Sequence, residues 1–127
     1  MEINSPLLKD ENTGIVKISK NGKSALTFVE KVKFYKDFTL VKVVILTGRT
    51  HQIRVHLSSV NHPIIGDSKY GDFKLNKEFK DRYNFENQFL HAYRLSFKNI
   101  KGQLSYLSNK EFCAPLPKQE EDLLLKL

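Results

Sequence analysis

The run Thr47-Gly48-Arg49-Thr50-His51-Gln52-Ile53-Arg54-Val55-His56-Leu57 holds the densest group of chemically useful side chains in the 127-residue chain. An arginine fork can grip a phosphate or a carboxylate through two parallel hydrogen bonds. The apolar strand pattern before the run and the helical pattern after it place it at a strand-to-helix junction, where sites often form. A helix start offers unpaired backbone N–H groups that attract anions. The run therefore reads as an anion-handling site, or as a polar, capped helix start. Metal chemistry is not expected. His51 and His56 lie five positions apart, so on a helix they diverge by about 140° and cannot share an ion. Cys113 is the one cysteine, which excludes an intramolecular disulfide and a thiolate-rich centre.

The elements around this run follow from periodicity. Residues 1–13, with Pro6 and the cluster Lys9-Asp10-Glu11-Asn12, read as an irregular entry segment. A strand is predicted after Gly14. Residues 24–35 place Leu26, Phe28, Val32 and Phe34 on one side of a two-residue alternation, a half-buried strand. Residues 39–46 are nearly continuous in Val, Ile and Leu, which predicts a central strand buried on both faces and paired with the preceding one in an antiparallel hairpin. From Thr50 to Val60 the period becomes helical, with Ile53, His56, Leu57 and Val60 as the apolar stripe. Arg54 then lies on the flank of that stripe, at the border of core and cleft. Asn61-His62-Pro63 ends the helix. Gly66-Asp67 and Tyr70-Gly71 read as turns or as residues that shape a cleft for RNA, 72–88 as a basic and aromatic insertion, 89–97 as another strand, and 118–127 as a short amphipathic helix.

Composition sets the outer limits. With 21 Lys+Arg against 14 Asp+Glu the formal charge is +7, which favours contact with a polyanion such as RNA. No stretch approaches the roughly 20 apolar residues of a membrane-spanning helix, and MEINSPLLKDENTG lacks the form of a signal peptide. A cytoplasmic location without membrane partners is the expectation.

The run GRTHQIRVHL, followed by HPIIGDSKYG and LHAYRLSF, resembles the signature of the RluA-type pseudouridine synthases, which modify ribosomal and transfer RNA. Upstream, Ile3-Asn4-Ser5-Pro6-Leu7 and Gly22-Lys23-Ser24-Ala25-Leu26-Thr27 resemble the segments that precede that signature, and Phe112-Cys113-Ala114-Pro115-Leu116-Pro117 its closing one. The resemblance implies an α+β fold with a mixed, largely antiparallel sheet and helices. It also implies an activity that isomerises uridine to pseudouridine without cofactor or metal.

In that family the nucleophile is an aspartate in a His-Arg-Leu-Asp segment. None of Asp10, Asp37, Asp67, Asp72, Asp81 and Asp122 follows an Arg-Leu pair. By the resemblance, residues 1–127 correspond to the C-terminal half of a catalytic domain, without the aspartate half, and the expectation is a fragment inactive alone. Arg54 matches the basic residue that pairs with the nucleophilic carboxylate and keeps it ionised, a supporting catalytic role. Arg49, His51, Gln52, Lys69, Lys74, Lys77 and Arg82 are candidates for RNA contact, while His56 is expected in the core and His91 as a structural histidine. The alternative function is a non-catalytic RNA-binding module that lost the nucleophile. An unpaired sheet edge would also offer a route to self-association.

Overall fold

The computed structural model describes residues 1–127, and strand pairing starts at the second of them. Ten strands and α-helices follow in the order β1 (Glu2–Asn4), β2 (Leu7–Lys9), β3 (Val16–Ile18), β4 (Leu26–Phe34), β5 (Thr39–Ile45), α1 (Gln52–Ser59), α2 (Phe73–Tyr83), β6 (Arg94–Ser96), β7 (Glu111–Cys113) and α3 (Lys118–Lys126). The class is α+β, with each strand pair antiparallel: a sheet of order β1-β4-β5 and the two-stranded pairs β2-β3 and β6-β7. The chain forms two compact units, Met1–Phe89 and Leu90–Lys126.

In the first unit the entry segment is not irregular. Ile3 sits opposite Thr27 in β1-β4, and Leu7 sits opposite Ile18 in β2-β3. Strands of three residues carry too little alternation to be read, and the partner of β1 is distant in sequence. The cluster at Lys9-Asp10-Glu11-Asn12 does make a turn: the Asp10 carboxylate accepts from the N–H groups of Asn12 and Thr13.

The β4-β5 hairpin forms as its pattern predicts, but with the opposite face inward. Ala25, Thr27 and Val29 point toward the core side, and Val32 and Phe34 are exposed. Thr27 is buried because its hydroxyl is bonded on that side, and a bulge between Lys31 and Lys33 interrupts the alternation beyond it. Nor is β5 a central strand. It is an edge, pairing with β4 alone, and Val44, Ile45 and Leu46 remain open.

Two apolar clusters hold α1 against the strands. One joins Val55 to Leu7, Val16 and Ala25, with Tyr70 packed on it. The other joins Leu57 to Ile3 and Ile64, with Val29, Ile53, Val60 and Phe89 around them. A helix of 8 residues is too short to persist alone in water. Burying each Val or Leu contributes about 1.5–3 kcal/mol, so these contacts fix α1 in place.

Residues 72–88, anticipated as an insertion, contain α2, whose start is capped by the Asp72 side chain accepting from Leu75 N–H. Phe79 anchors the helix, buried edge-on to Phe38 at 4.9 Å. In the second unit the strand anticipated over 89–97 shortens to β6, paired with β7, and a 3-10 helix spans Gly102–Leu107. The terminal helix is present as α3, with Leu123 buried and Leu125 exposed. No helix is long and apolar enough to cross a membrane.

Candidate active site

The junction between β5 and α1 is tied together by Gln52. Its Oε1 accepts from the Thr47 hydroxyl at 2.8 Å and from Arg49 N–H at 3.0 Å, while its Nε2 donates to Leu26 O and Thr27 Oγ1. Thr47 Oγ1 in turn accepts from Leu26 N–H. Gln52, anticipated as an RNA contact, is thus 2% exposed with its whole amide used inside the chain. It shapes the loop that presents Arg49 and Thr50.

His56 continues the same network inward. Its Nε2 lies 2.9 Å from Ser5 O and its Nδ1 lies 2.8 Å from Thr27 Oγ1. A carbonyl only accepts, so Nε2 carries a proton. Thr27 Oγ1 also accepts from Gln52, so ring, hydroxyl and amide form one buried chain of hydrogen bonds. His56 is therefore a core histidine, as its apolar neighbours suggested.

Arg54 points from the opposite flank of α1 toward the turn after Ile65. Its Nε donates to Asp67 Oδ2 at 2.8 Å and its Nη2 donates to Asp67 Oδ1 at 2.7 Å. The backbone N–H groups of Lys69 and Tyr70 also donate to Oδ1. Burial alone would push the Asp67 carboxyl up, but the Arg54 hydrogen bonds, the two backbone donors and the arginine's charge together outweigh it and hold it at about 2. The same pairing raises Arg54 further above its ordinary value. Nη1 is left without a partner in the chain.

The turn that carries Asp67 is fixed by α2. Asn76 accepts from Gly66 N–H at 2.7 Å and donates to Asp67 O at 2.8 Å. Gly66 has φ +81°, and a Cβ there would fall 2.0 Å from Asn87 O, so only glycine fits.

Tyr70 completes the cluster. Its ring lies under Arg54 with the guanidinium carbon 5.0 Å from the centroid, and its hydroxyl accepts from Val16 N–H and meets His51 Nδ1 at 2.8 Å. His51 itself is left-handed, φ 54°, at the cap of α1. Partial burial, then the nearby charges of Arg54 and Lys69, lower its pKa.

Among the anticipated site residues, Arg49, His51, Arg54 and Lys69 gather around the start of α1 and the Asp67 turn. Lys74, Lys77 and Arg82 are exposed on α2. Sequence reasoning placed Asp67 and Tyr70 in turns, with the shaping of an RNA cleft as the alternative, and gave neither a tie to Arg54; the signal available was the carboxylate and ring within one short turn, thirteen residues beyond Arg54.

The family model for RNA pseudouridylate synthase matches residues 2–59, a span that ends with Arg54 and α1. A ribosomal large subunit pseudouridine synthase C of Buchnera aphidicola is 42% identical over 108 residues, covering 83% of this chain and 34% of the relative. The chain belongs to the pseudouridine synthase family.

An uncharacterized RNA pseudouridine synthase of Bacillus subtilis, YlyB, is 36% identical over 98% of this chain and 38% of its own length. Among solved structures, human RNA pseudouridylate synthase domain containing 1 matches with a TM-score of 0.65 at 29% identity, over 91% of this chain and 47% of the human one. The pseudouridine synthase fold is thereby shared. The chain spans little more than a third of the curated relatives named here.

Proposed function

We propose that this chain supplies the arginine-bearing portion of an enzyme that isomerises uridine to pseudouridine in ribosomal or transfer RNA. The observation that carries the reading is the guanidinium of Arg54. Asp67 holds two of its nitrogens over the Tyr70 ring, and Nη1 is left to meet a second carboxylate. In the complete reaction the bond from the ribose to N1 of uracil breaks and one to C5 forms. An aspartate would act as nucleophile, and a guanidinium beside it would keep it ionised while water is excluded. This chain contains no Arg-Leu-Asp segment, so it is proposed to be inactive alone.

A second strand-bearing polypeptide has a place to attach at the free edge of β5, and a second copy of the chain could use the same edge. The lone Cys113 is free and exposed, consistent with the proposed cytoplasmic setting. A non-catalytic RNA-binding role is the second reading, favoured by the absent Arg-Leu-Asp segment.

The test is pseudouridine formation in ribosomal and transfer RNA by the purified chain, alone and mixed with the N-terminal portion of a relative. The expected result is no product alone and product on mixing. Turnover by the chain alone, abolished by changing one of its own aspartates, would overturn the reading. RNA binding with no product under any mixing favours the binding module.

A further inference from the structure

A second feature lies beside the Arg54 cluster, on β2 and the loops that flank it. Leu7 and Lys9 project from the same side of β2, and Leu7 pairs through its backbone with Lys23, donating to Lys23 O at 2.9 Å and accepting from Lys23 N–H at 2.8 Å. That bridge sets Lys23 beside Lys9. Arg49 Nε donates to Ser24 O at 2.8 Å, which anchors the guanidinium next to Lys23. Between them is a cavity of about 160 Å³ whose polar lining is Lys9, Lys23, Arg49 and Thr50, with Leu7 and Val16 behind.

No carboxylate lines this cavity. Glu11 reaches Lys9 at 3.8 Å, but Glu11 is 83% exposed, and such a pair is weak and easily displaced. Pockets for drug-sized ligands run to about 300–1,000 Å³, so this one matches a small anionic group rather than a whole nucleoside. Three cations around a small, mostly polar recess are suited to a phosphate. Lys69, whose ammonium is near the Gly14 turn, extends the positive field toward His51.

We propose that this recess is a phosphodiester subsite, holding a backbone phosphate of the RNA strand close to the nucleotide that faces Arg54. The proposal rests on the reading of this chain as part of an RNA-modifying enzyme. It adds Lys9 and Lys23, neither of which sequence reasoning singled out, and gives Arg49 a defined ligand. Arg49 and Thr50 lie on the loop that leads into α1, which carries Arg54, so a phosphate held here would fix the register of the strand at the reacting position. Phosphate contacts position; they do not read sequence.

The experiment uses the whole chain. A single-stranded oligouridine RNA and, separately, inorganic phosphate are titrated while the amide signals of Gly48, Arg49 and Thr50 are followed by NMR, and RNA affinity is measured against salt. Both probes should shift those signals. Changing Lys9→Gln and Lys23→Gln together should weaken RNA binding by about fivefold and reduce the logarithmic salt slope by about 0.7 for the single-strand phosphate lost. The triple change Lys74→Gln, Lys77→Gln, Arg82→Gln should leave the response of Gly48–Thr50 to inorganic phosphate in place. RNA binding that depends on α2 and ignores Lys9 and Lys23 would sink the subsite while leaving the RNA reading intact. Signals that respond to inorganic phosphate but not to RNA would mark a free-anion site and also sink it. No RNA binding in any form would remove both the subsite and the reading beneath it.

Discussion

Arg54 and Asp67 meet fork to fork, Nε on Oδ2 at 2.8 Å and Nη2 on Oδ1 at 2.7 Å, with the acid side chain only 1% exposed and the arginine 13%. The pair joins α1 to the turn that α2 braces. It makes the orientation of the arginine a property of this chain, set before any second carboxylate arrives.

Acid should loosen this joint. The Asp67 carboxyl titrates at about 2 in the fold against 3.8 for an ordinary aspartate. Because the folded value is the lower one, its contribution is complete above pH 4 and is lost as pH falls toward 2. The shift corresponds to about 2–3 kcal/mol. Asp67→Asn should show this loss already at neutral pH and should flatten stability between pH 4 and 2, measured by chemical denaturation at several pH values. An unchanged acid limb in the variant would mean another group governs it.

In an enzyme reassembled with the aspartate-bearing portion, Arg54→Ala should abolish turnover and Arg54→Lys should restore part of it, since lysine returns the charge without the planar fork. RNA affinity should fall much less than rate. The alanine change also leaves Asp67 buried without its partner, which typically destabilises by about 3–5 kcal/mol. The double change Arg54→Ala with Asp67→Ala separates the effects: it should recover part of the thermal stability lost by the single change and remain inactive. Retained single-turnover rate at saturating RNA in a variant lacking Arg54 would assign the residue to binding.

His56→Ala should destabilise the first unit without acting on RNA directly. It strands the Ser5 carbonyl, leaves the Thr27 hydroxyl with Gln52 alone, and opens a cavity beneath α1. A buried unsatisfied group costs about 1–3 kcal/mol, and the lost packing adds to that. Thermal denaturation should show a clear drop, while RNA affinity well below the new midpoint stays near its original value.

Gly66→Ala should disturb the site from behind. The added methyl meets Asn87 O and the backbone is held at φ +81°, so the turn must shift and carry Asp67 with it. The NMR signals of the Tyr70 ring and of Arg54 Nε–H report the shift; a spectrum superimposable on the parent's would show that the turn has slack.

The β4-β5 hairpin, α1 and α3 were legible because each has a periodic pattern longer than one turn or one strand pair. The inward face of β4 was not. Its outward residues Phe28, Val32 and Phe34 are the more hydrophobic set, and Thr27 is buried by hydrogen bonding rather than by apolarity. The edge position of β5 was hidden for a related reason, since its continuous Val and Ile run anticipates neighbours on both sides. At the site, Arg54 was found by its place in a motif. Asp67 was not, because Gly-Asp reads as ordinary turn chemistry until tertiary structure carries it to α1. Gln52 looked available on its charged run, yet its amide closes the very loop that makes Arg49 accessible.

The outward side of the β1-β4-β5 sheet has a consequence for how the purified chain keeps. Phe28, Val44 and Leu46 lie open beside a strand whose outer N–H and C=O groups have no partner in the sheet. Lys42, paired at 3.9 Å with Glu30 across the hairpin, is the single charge along β5. A weakly guarded edge of this kind templates ordered aggregation. Shelf life and the ceiling on workable concentration of the purified chain are therefore expected to depend first on β5. A second lysine at Val44 would act as a gatekeeper there and leave every hydrogen bond around Arg54 untouched.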